Sequence, residues 1–350
     1  MLKELKVIDA SSVLAGPSVG TYFAELGAKV TKIEHPKHAD VTRTWKLPSE
    51  DSASPISAYF SSVNYNKDYI KLDLNLDSDH SAFLDLISDA DILITNFKKG
   101  DDLKLNILDK TLHEINPSLI IGKINGYGEN NGRVAYDLIL QAESGFMSMN
   151  GTPESGPVKM PIAMIDILAA HHLKEAILLG LLNRVKTGKG TSVSVSLYDA
   201  ALSSLSNQSS NYLMGNHIPQ RIGSLHPNIA PYGELFTTKS GDLITFAIGS
   251  NTHFNKLCSA LQLKNIPLDD RFKTNQKRVN NRTILQKILQ EQINDRTTSD
   301  ILDKLSVLNV PAGKVNDLEE VFKAPEAQEL IRKELIDGVE TSRITSVVFK

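Results

Sequence analysis

The stretches Glu4-Leu-Lys-Val-Ile-Asp9 and Ala28-Lys-Val-Thr-Lys-Ile-Glu34 decide the fold class of this chain. Each is a short, largely apolar run that is typical of a β-strand. Residues 18–26 between them have the apolar spacing of a helix. A strand, a helix and a second strand in succession form a βαβ unit, which predicts two parallel strands in one sheet.

The same alternation continues to about residue 190. Periodicity predicts strands over 69–74, 91–95 and 118–124, and helices over 79–88, 106–115, 137–148 and 164–186. Gly188 and Gly190 end the last of these helices. Because strands that alternate with helices usually pair in parallel, we expect an α/β large domain with a Rossmann-like parallel sheet covered by helices.

The pattern changes beyond residue 190, and a smaller α+β domain is predicted after the loop over 215–233. Residues 191–197 alternate like a half-buried strand, and a helix rich in Ser and Asn extends to about residue 214. A hairpin is predicted over 234–249, with helices near 251–262, 280–294 and 297–308. The predicted division is a large domain over 1–214, a linker over 215–233, a small domain over 234–320 and a C-terminal segment over 321–350.

The charge and composition of the chain indicate which classes of binding partner are not expected. The chain of 350 residues is 41% hydrophobic, and its formal charge of −3 comes from 38 basic and 41 acidic residues. This near balance argues against nucleic acid or a membrane surface as a partner. The single cysteine, the lack of a signal-peptide pattern and the lack of an apolar run of transmembrane length predict a cytoplasmic protein.

No metal site is predicted from the sequence. The lone Cys258 excludes a cage of several cysteines, and the nine histidines are scattered. The adjacent pair His171-His172 lacks the i, i+4 spacing that places two ligands on one face of a helix.

Two short motif matches near the N-terminus do not fit the geometry that their functions need. Gly16-Pro-Ser-Val-Gly20 matches the G-x-S-x-G pattern of serine hydrolases, but residues 11–16 separate Ser18 from the preceding strand. A nucleophile elbow follows its strand directly, so a serine hydrolase is not expected. Glu34 ends the βαβ unit as an acidic residue does in dinucleotide-binding folds, yet the G-x-G-x-x-G sequence is missing, which argues against a nicotinamide dehydrogenase.

Asp166 is the candidate nucleophile. It is a single carboxylate near the start of an otherwise apolar helix, among Met164, Ile165, Ile167 and Leu168. Burying an ionised carboxylate there is unfavourable unless hydrogen bonds or the helix dipole stabilise it, which points to a function. From this segment alone, an acidic residue that only caps the first turn of the helix remains an alternative.

The segment Asn96-Phe-Lys-Lys-Gly100 follows a predicted strand directly, which is where open α/β sheets bind ligands. Phe97 could cover a flat base, and the lysines at 98, 99 and 104 could meet phosphates. These residue types fit a nucleotide-bearing acyl carrier. A solvated turn with scattered lysines is the alternative.

A series of short motifs runs along nearly the whole chain: Leu14-Ala-Gly-Pro17, Leu26-Gly-Ala-Lys-Val-Thr-Lys-Ile-Glu34, Asp40-Val-Thr-Arg43, Asn64-Tyr-Asn-Lys67, Asn125-Gly-Tyr-Gly128, Tyr136-Asp137, Arg184-Val-Lys-Thr-Gly-Lys-Gly190, His226-Pro-Asn-Ile-Ala-Pro-Tyr-Gly233 and Asp270-Arg-Phe272. In their order and spacing these motifs resemble the class III CoA-transferases, the family of formyl-CoA transferase and carnitine CoA-transferase, which includes the alpha-methylacyl-CoA racemases. The resemblance implies an acyl-CoA substrate.

The resemblance also implies that Asp166 is the nucleophile. A carboxylate that attacks an acyl-CoA thioester forms a mixed anhydride and expels a thiolate, which can return to form an enzyme–CoA thioester. An incoming carboxylic acid then leaves as the new CoA ester, and water must be kept out throughout. No permanently bound cofactor is expected, because coenzyme A arrives as the acyl-CoA substrate.

Position by position, the resemblance assigns a CoA-binding surface. Its predicted members are Leu14, Ala15, His35, the strand end Leu72 to Asn75, Asn96, Phe97, Lys104 and Tyr136, to which we add the cations Lys98 and Arg133. Well-known members carry arginine where His35 and Lys104 stand, and formyl-CoA transferase has a glutamine where Leu14 stands. The glycine-rich lid of that enzyme is replaced here by the sequence from His226 to Gly233, so formyl and oxalate specificity is not expected.

A racemase and a non-catalytic CoA-binding homologue are the two alternatives to a transferase. A racemase needs two proton-transferring groups on opposite faces of the α-carbon. Tyr136 stands where racemases have a histidine, and Asn251 stands where they have a glutamate. Retention of Asp166 argues against loss of catalysis.

The acceptor is expected to be a small carboxylic acid, with a dicarboxylate such as succinate suggested by the family. Arg43, Arg133 and Arg221 are candidates to bind its second carboxylate, because guanidinium groups bind carboxylates bidentately. The resemblance further implies an interlocked homodimer, in which residues 321–350 return to the large domain.

Overall fold

Six parallel strands form one sheet in the computed structural model, which describes residues 1–349. Their bounds are β1 (Lys6–Ala10), β2 (Lys29–Glu34), β3 (Lys67–Lys71), β4 (Ile92–Thr95), β5 (Ile120–Asn125) and β6 (Thr191–Ser196). They lie in the order β3-β2-β1-β4-β5-β6. Because the chain runs outward from β1 and then returns to β4, a crevice is expected outside the carboxyl ends of these two strands.

Helices cover both faces of the sheet. They are α1 (Ala15–Glu25), α2 (Ala58–Ser61), α3 (Asp77–Ser88), α4 (Asp101–Lys104), α5 (Asp109–Ile115), α6 (Asp137–Glu143), α7 (Phe146–Met149), α8 (Met164–Thr187), α9 (Leu197–Ser203) and α10 (Asn207–Gly215). On one face α1 and α8 pack with Val7 and Ile92, and on the other α3 and α5 pack with Ile8 and Leu93. Successive strand residues point to opposite faces, so the near-continuous apolar runs of the sequence fill two cores.

The second compact unit comprises Met149–Val158 and Gln220–Ala327, and the first comprises Met1–Ser148, Lys159–Pro219 and Gln328–Lys350. In the second unit, β7 (Tyr232–Thr237), β8 (Leu243–Ala247) and β9 (Ala312–Lys314) form an antiparallel sheet. Its principal helices are α11 (Asn251–Ala260), α12 (Asn275–Asn280), α13 (Arg282–Ile293) and α14 (Thr298–Val307), followed by the short α15 (Leu318–Val321) and α16 (Pro325–Gln328). The last hairpin, β10 (Ile331–Ile336) with β11 (Val339–Ile344), belongs to the first unit.

The α/β fold class predicted from the sequence is confirmed, whereas several boundaries differ. The first helix begins at Ala15 rather than residue 18, and β3 covers 67–71 rather than 69–74. The predicted helix over 137–148 is two helices, because Gly145 with φ of 93° interrupts it. Contacts group Met149–Val158 with the second unit, which local periodicity did not indicate.

The two glycines of the G-x-S-x-G match have a packing role. A Cβ added to Gly16 would collide with the Ser11 side chain, and one added to Gly20 would lie 2.9 Å from Asp9 Oδ2. Ser18 lies within α1, where its hydroxyl donates to the Leu14 carbonyl at 2.7 Å. The motif therefore lets α1 approach the loop after β1, and the serine is an ordinary helix residue.

Candidate active site

The candidate site lies in the crevice at the carboxyl ends of β1 and β4. The loop after β1 and the loop after β4 are joined by Asn96, whose Oδ1 accepts from Ser12 N at 3.1 Å and whose Nδ2 donates to Ser12 O at 2.9 Å. These reciprocal bonds hold together the loop that carries Leu14 and the loop that carries Phe97 and Lys98.

Most of the predicted site residues line one open cleft at this edge of the sheet. The cleft brings together Leu14, Ala15, Asn96, Phe97, Lys98, Arg133, Tyr136 and Asp166. The predicted nucleophile thus shares one surface with predicted CoA contacts that lie far from it in the sequence.

A second cleft shares the wall formed by Asn96, Phe97 and Lys98, and it holds the predicted residues His35, Leu72 and Asn75. Lys104 lines neither cleft; its side chain is 77% exposed and its ammonium lies 3.4 Å from Asp101. The structure therefore brings together all the predicted CoA-binding residues except Lys104.

Asp166 lies in the first turn of α8 and is 8% exposed. Burial, together with the negative charge of Asp137, raises the pKa of Asp166 to about 7. Within the part of the chain that the structure describes, no donor gives a hydrogen bond to the Asp166 carboxylate. Asp166 is therefore a poorly stabilised carboxylate at the edge of an open cleft.

Asp137 and Gln141 of α6 support the start of α8. Asp137 Oδ1 accepts hydrogen bonds from Ile165 N at 2.7 Å and Asp166 N at 3.4 Å. Gln141 Nε2 donates to Asp137 Oδ2 at 2.6 Å, and Gln141 Oε1 accepts from Met160 N at 2.7 Å. The sequence analysis recognised Asp137 only as part of a family motif and predicted no role for either residue.

Tyr59 is a candidate functional residue that sequence reasoning missed. Burial and the negative charges of Asp166, Asp137 and Asp40 raise the pKa of Tyr59 to about 12. The Tyr59 ring packs edge-on against Trp45, with the ring centroids 5.2 Å apart. Among the described residues no partner accepts from its hydroxyl, although Tyr59 itself lines neither of the two clefts. No local sequence signal identifies it, because it comes from a short helix in the long loop between β2 and β3.

The orientation of His35 is fixed by its own turn. His35 Nδ1 accepts from Lys37 N at 3.0 Å and His38 N at 3.2 Å, while Nε2 lies 3.4 Å from Asp73 Oδ2. Two donors to Nδ1 assign the proton of the neutral ring to Nε2. An arginine at this position has no acceptor atom and would not support the turn in this way.

The three predicted carboxylate-binding arginines have different surroundings. Arg43 donates to Glu34 at 2.9 and 2.6 Å and to Asp337 at 2.7 Å, so its guanidinium already serves two internal carboxylates. Arg133 lines the cleft, where it pairs with Glu143 at 2.6 Å and stacks over Tyr127. Arg221 lies in the second unit. Only Arg133 shares a described cleft with Asp166.

A buried network of charged side chains joins β1, β3 and α1. Lys67 Nζ donates to Asp9 Oδ2 at 2.8 Å, Pro17 O at 2.9 Å, Val63 O at 2.9 Å and Asn64 Oδ1 at 3.0 Å. The ammonium is thus surrounded by acceptors although it is fully buried. A buried charge persists when hydrogen bonds and an opposite charge compensate its desolvation.

The same network holds Val13 in an unusual backbone conformation. Val13 has φ of 73°, in the left-handed region that a β-branched residue rarely adopts. Its N–H donates to Asp40 Oδ2 at 3.1 Å, and Lys32 Nζ lies 3.4 Å from the same oxygen. Strain of this kind persists where the surroundings determine it and is common at functional sites. Here it fixes the turn that presents Leu14 and Ala15 to the cleft.

Residues 1–349 contain neither a metal-binding cluster nor a membrane-spanning helix. Over residues 1–349, no three His, Cys, Asp or Glu side chains are grouped so that they could hold a metal ion. None of the helices in that range is both long and apolar enough to cross a membrane.

A family model and the sequences of known proteins both relate this chain to CoA-transferases. The model of CoA-transferase family III matches residues 2–347. The chain is 34% identical over 333 residues to a succinate–glutarate CoA-transferase of Agrobacterium fabrum, covering 93% of this chain and 83% of that protein. It is 33% identical over 328 residues to the Homo sapiens succinyl-CoA:glutarate CoA-transferase, covering 93% and 74% respectively.

A solved structure shares the fold. The crystal structure of a CaiB/BaiF family protein from Brucella suis superposes with a TM-score of 0.83 at 34% sequence identity. The superposition covers 99% of this chain and 91% of that one, so both compact units have their counterparts there.

Proposed function

Because the chain belongs to CoA-transferase family III and is an acyl-CoA:carboxylate CoA-transferase, we propose that it transfers CoA between dicarboxylic acids through covalent intermediates at Asp166. One observation carries the proposal. Asp166 is a buried carboxylate with a pKa of about 7, without a hydrogen-bond partner among the described residues, on the cleft that holds most of the predicted CoA-binding residues.

The chemistry begins with two substitutions. The Asp166 carboxylate attacks the thioester carbonyl, the C–S bond breaks, and CoA leaves as a thiolate while a mixed anhydride forms. The thiolate then attacks the Asp166 carbonyl of this anhydride and releases the donor acid as a carboxylate. CoA is now attached to Asp166 as a thioester, so the energy of the original thioester is retained.

The same two steps in reverse load the acceptor. The incoming carboxylate attacks the aspartyl thioester, which gives a new anhydride and a free thiolate. The thiolate attacks the acyl carbonyl of this anhydride, forming the new acyl-CoA and regenerating the Asp166 carboxylate. No net proton or electron is consumed in the exchange.

The residues around Asp166 fit this exchange. Lys98 lies on the wall shared by both clefts and has no partner among the described residues, so its ammonium is available to a CoA phosphate. Phe97 on the same wall offers an aromatic face to the adenine base. The free hydroxyl of Tyr59 can donate to the oxyanion that develops as each carbonyl is attacked.

The substrate class rests on the relatives and on one arginine. Both relatives described above are named for succinate or succinyl-CoA and glutarate. Arg133 is the predicted carboxylate-binding arginine that lines the cleft of Asp166, and although it pairs with Glu143 its side chain is half exposed, so a guanidinium edge can reach a second carboxylate. We therefore propose succinyl-CoA as donor and a dicarboxylate of four or five carbons as acceptor.

Intact-protein mass spectrometry tests the proposal. Wild type and the Asp166→Asn and Asp166→Ala variants are incubated with succinyl-CoA and then with hydroxylamine, which converts an aspartyl anhydride or thioester into a hydroxamate. The expected result is a hydroxamate in the wild type, located at Asp166 by peptide mapping, and none in either variant. A hydroxamate at another residue, or transferase activity in both folded variants, would overturn the proposal.

A further inference from the structure

The start of α8 has an uncommon arrangement of donors and acceptors. The first N–H groups of a helix have no partner within the helix, and a side chain from its own first residues usually caps them. Here the N-cap residue is Ala163, which has no side-chain acceptor. The acceptor comes from another helix: Asp137 of α6 takes Ile165 N at 2.7 Å and Asp166 N at 3.4 Å.

Gln141 holds Asp137 in this position. It lies one turn further along α6, is fully buried, and donates to Asp137 Oδ2 at 2.6 Å. Its other amide atom accepts from Met160 N at 2.7 Å, in the segment that leads into α8. Both ends of the amide are therefore used, and the Asp137 carboxylate is fixed between two helices.

Asp166 is the residue affected by this arrangement. A carboxylate in the first turn of a helix is ordinarily stabilised by the free N–H groups and by the helix dipole. At α8 a different carboxylate occupies those groups and adds a negative charge nearby. The Asp166 carboxylate consequently receives no hydrogen bond from residues 1–349.

We propose that Asp137, held by Gln141, is a positioning residue that withholds the N-terminal N–H groups of α8 from Asp166 and so keeps that carboxylate strongly nucleophilic. This inference rests on the proposed role of Asp166 as nucleophile. A carboxylate with fewer hydrogen bonds is more basic, and a more basic oxygen attacks a thioester carbonyl more readily.

The other ionisable groups around Asp166 act differently. Tyr59 of α2 approaches as a phenol whose ionisation Asp166 and Asp137 oppose. Lys98, Arg133 and Tyr136 line the same cleft as Asp166, and Arg133 is paired with Glu143. Among residues 1–349, Asp137 is the charged group that raises the proton affinity of the Asp166 carboxylate.

Two variants separate the charge of Asp137 from its hydrogen bonds. Asp137→Asn keeps an oxygen that can accept from the N–H groups of α8 but removes the charge, whereas Asp137→Ala removes both. The rate of hydroxamate formation at residue 166 is measured between pH 5 and 9 with succinyl-CoA in excess. We expect the midpoint of the acid limb to fall by about one pH unit in Asp137→Asn, and further in Asp137→Ala, with a slower plateau rate in both.

The controls distinguish this inference from the proposed function. Asp300→Asn removes an exposed carboxylate from the first turn of α14 and should leave the midpoint unchanged. A wild-type midpoint in the folded Asp137→Asn variant, with labelling still at Asp166, would overturn the inference alone. Absence of any labelling at Asp166 in the wild type would instead overturn the proposed function. If Asp137→Ala does not fold, the midpoint of the acid limb measured for Asp137→Asn alone tests the inference.

Discussion

The ammonium of Lys67 lies 2.8 Å from the carboxylate of Asp9, and neither side chain is exposed to solvent. The pair joins the start of β3 to β1, and Lys67 also donates to Pro17 O of α1 at 2.9 Å. Burial alone would raise the pKa of Asp9, but the ammonium groups of Lys67 and Lys32 lower it to about 2. The junction of β1, β3 and α1 is thus held by buried charges as well as by apolar packing.

Removing one member of this pair should be strongly destabilising. Lys67→Met leaves the Asp9 charge buried without its main partner, and we expect a loss of about 3–5 kcal/mol in the free energy of unfolding. Urea denaturation at pH 7 measures it. Lys71→Met, an exposed lysine of the same strand, is the control and should change stability by less than about 0.5 kcal/mol. Equal losses in the two variants would contradict the structural role of the pair.

Asp166 should reduce stability at neutral pH. The pKa of Asp166 in the folded protein is about 7, well above the ordinary value of 3.8. The contribution of Asp166 to the free energy of unfolding is therefore most favourable below pH 4, and it is lost as the pH rises through 7. Asp166→Asn should therefore stabilise the protein at pH 8 by roughly 2–4 kcal/mol and much less at pH 5. Urea denaturation at both values checks this, and an equal difference at the two pH values would contradict it.

The activity should follow the ionisation of the same group. Because the attacking species in the proposed reaction is the carboxylate of Asp166, kcat/KM for succinyl-CoA is expected to rise with pH and to level off above about pH 7. The acid limb should have a slope of one. A plateau that extends unchanged down to pH 5 would show that burial does not hold the proton on Asp166 in the free enzyme.

The hydroxyl of Tyr59 should matter for catalysis and not for stability. Tyr59→Phe removes a donor that has no partner among the described residues, so we expect kcat to fall about tenfold or more with little change in the free energy of unfolding. Tyr69→Phe is the matched control. Its hydroxyl donates to Asn64 O at 2.7 Å, so this variant should lose about 1 kcal/mol of stability and keep its kcat. An unchanged kcat in Tyr59→Phe together with a lowered kcat in Tyr69→Phe would show that Tyr59 has no role in the reaction.

Lys98 should contribute to acyl-CoA binding. Lys98→Ala removes the ammonium on the wall shared by the two clefts, and we expect KM for succinyl-CoA to rise about tenfold, an effect that weakens at high salt. Lys110→Ala, whose exposed ammonium lies 3.9 Å from Glu114, is the control. Lys104→Ala tests the residue that the family resemblance assigns to CoA binding but that lines neither cleft. Because the Lys104 side chain is exposed, we expect a smaller rise in KM for this variant than for Lys98→Ala. Equal KM values for the Lys98 and Lys110 variants would contradict the assignment.

Much of the fold was predictable because it depends on neighbours in the sequence. Apolar runs such as Ile92–Thr95 identify buried strands, and their alternation with helices implies a parallel sheet. The position of Asn96 to Lys98 directly after β4 then places them at the crevice, since the carboxyl ends of parallel strands meet at one edge. Asp166 was identified as an acidic residue in an apolar helix, and the family resemblance gave it a role.

Only the tertiary structure decided which distant side chains meet. Asp137 approaches the start of α8, Tyr59 approaches Asp166, and Arg43 is occupied by Glu34 and Asp337. Lys104 points away from the clefts although its sequence neighbours line them. Sequence periodicity reports which face of an element is apolar, but it does not report which polar groups two elements bring within hydrogen-bonding distance. The sequence therefore determined the sheet and predicted Asp166 as the nucleophile, and the packing of α6 against the start of α8 determined the surroundings that set the charge state of Asp166.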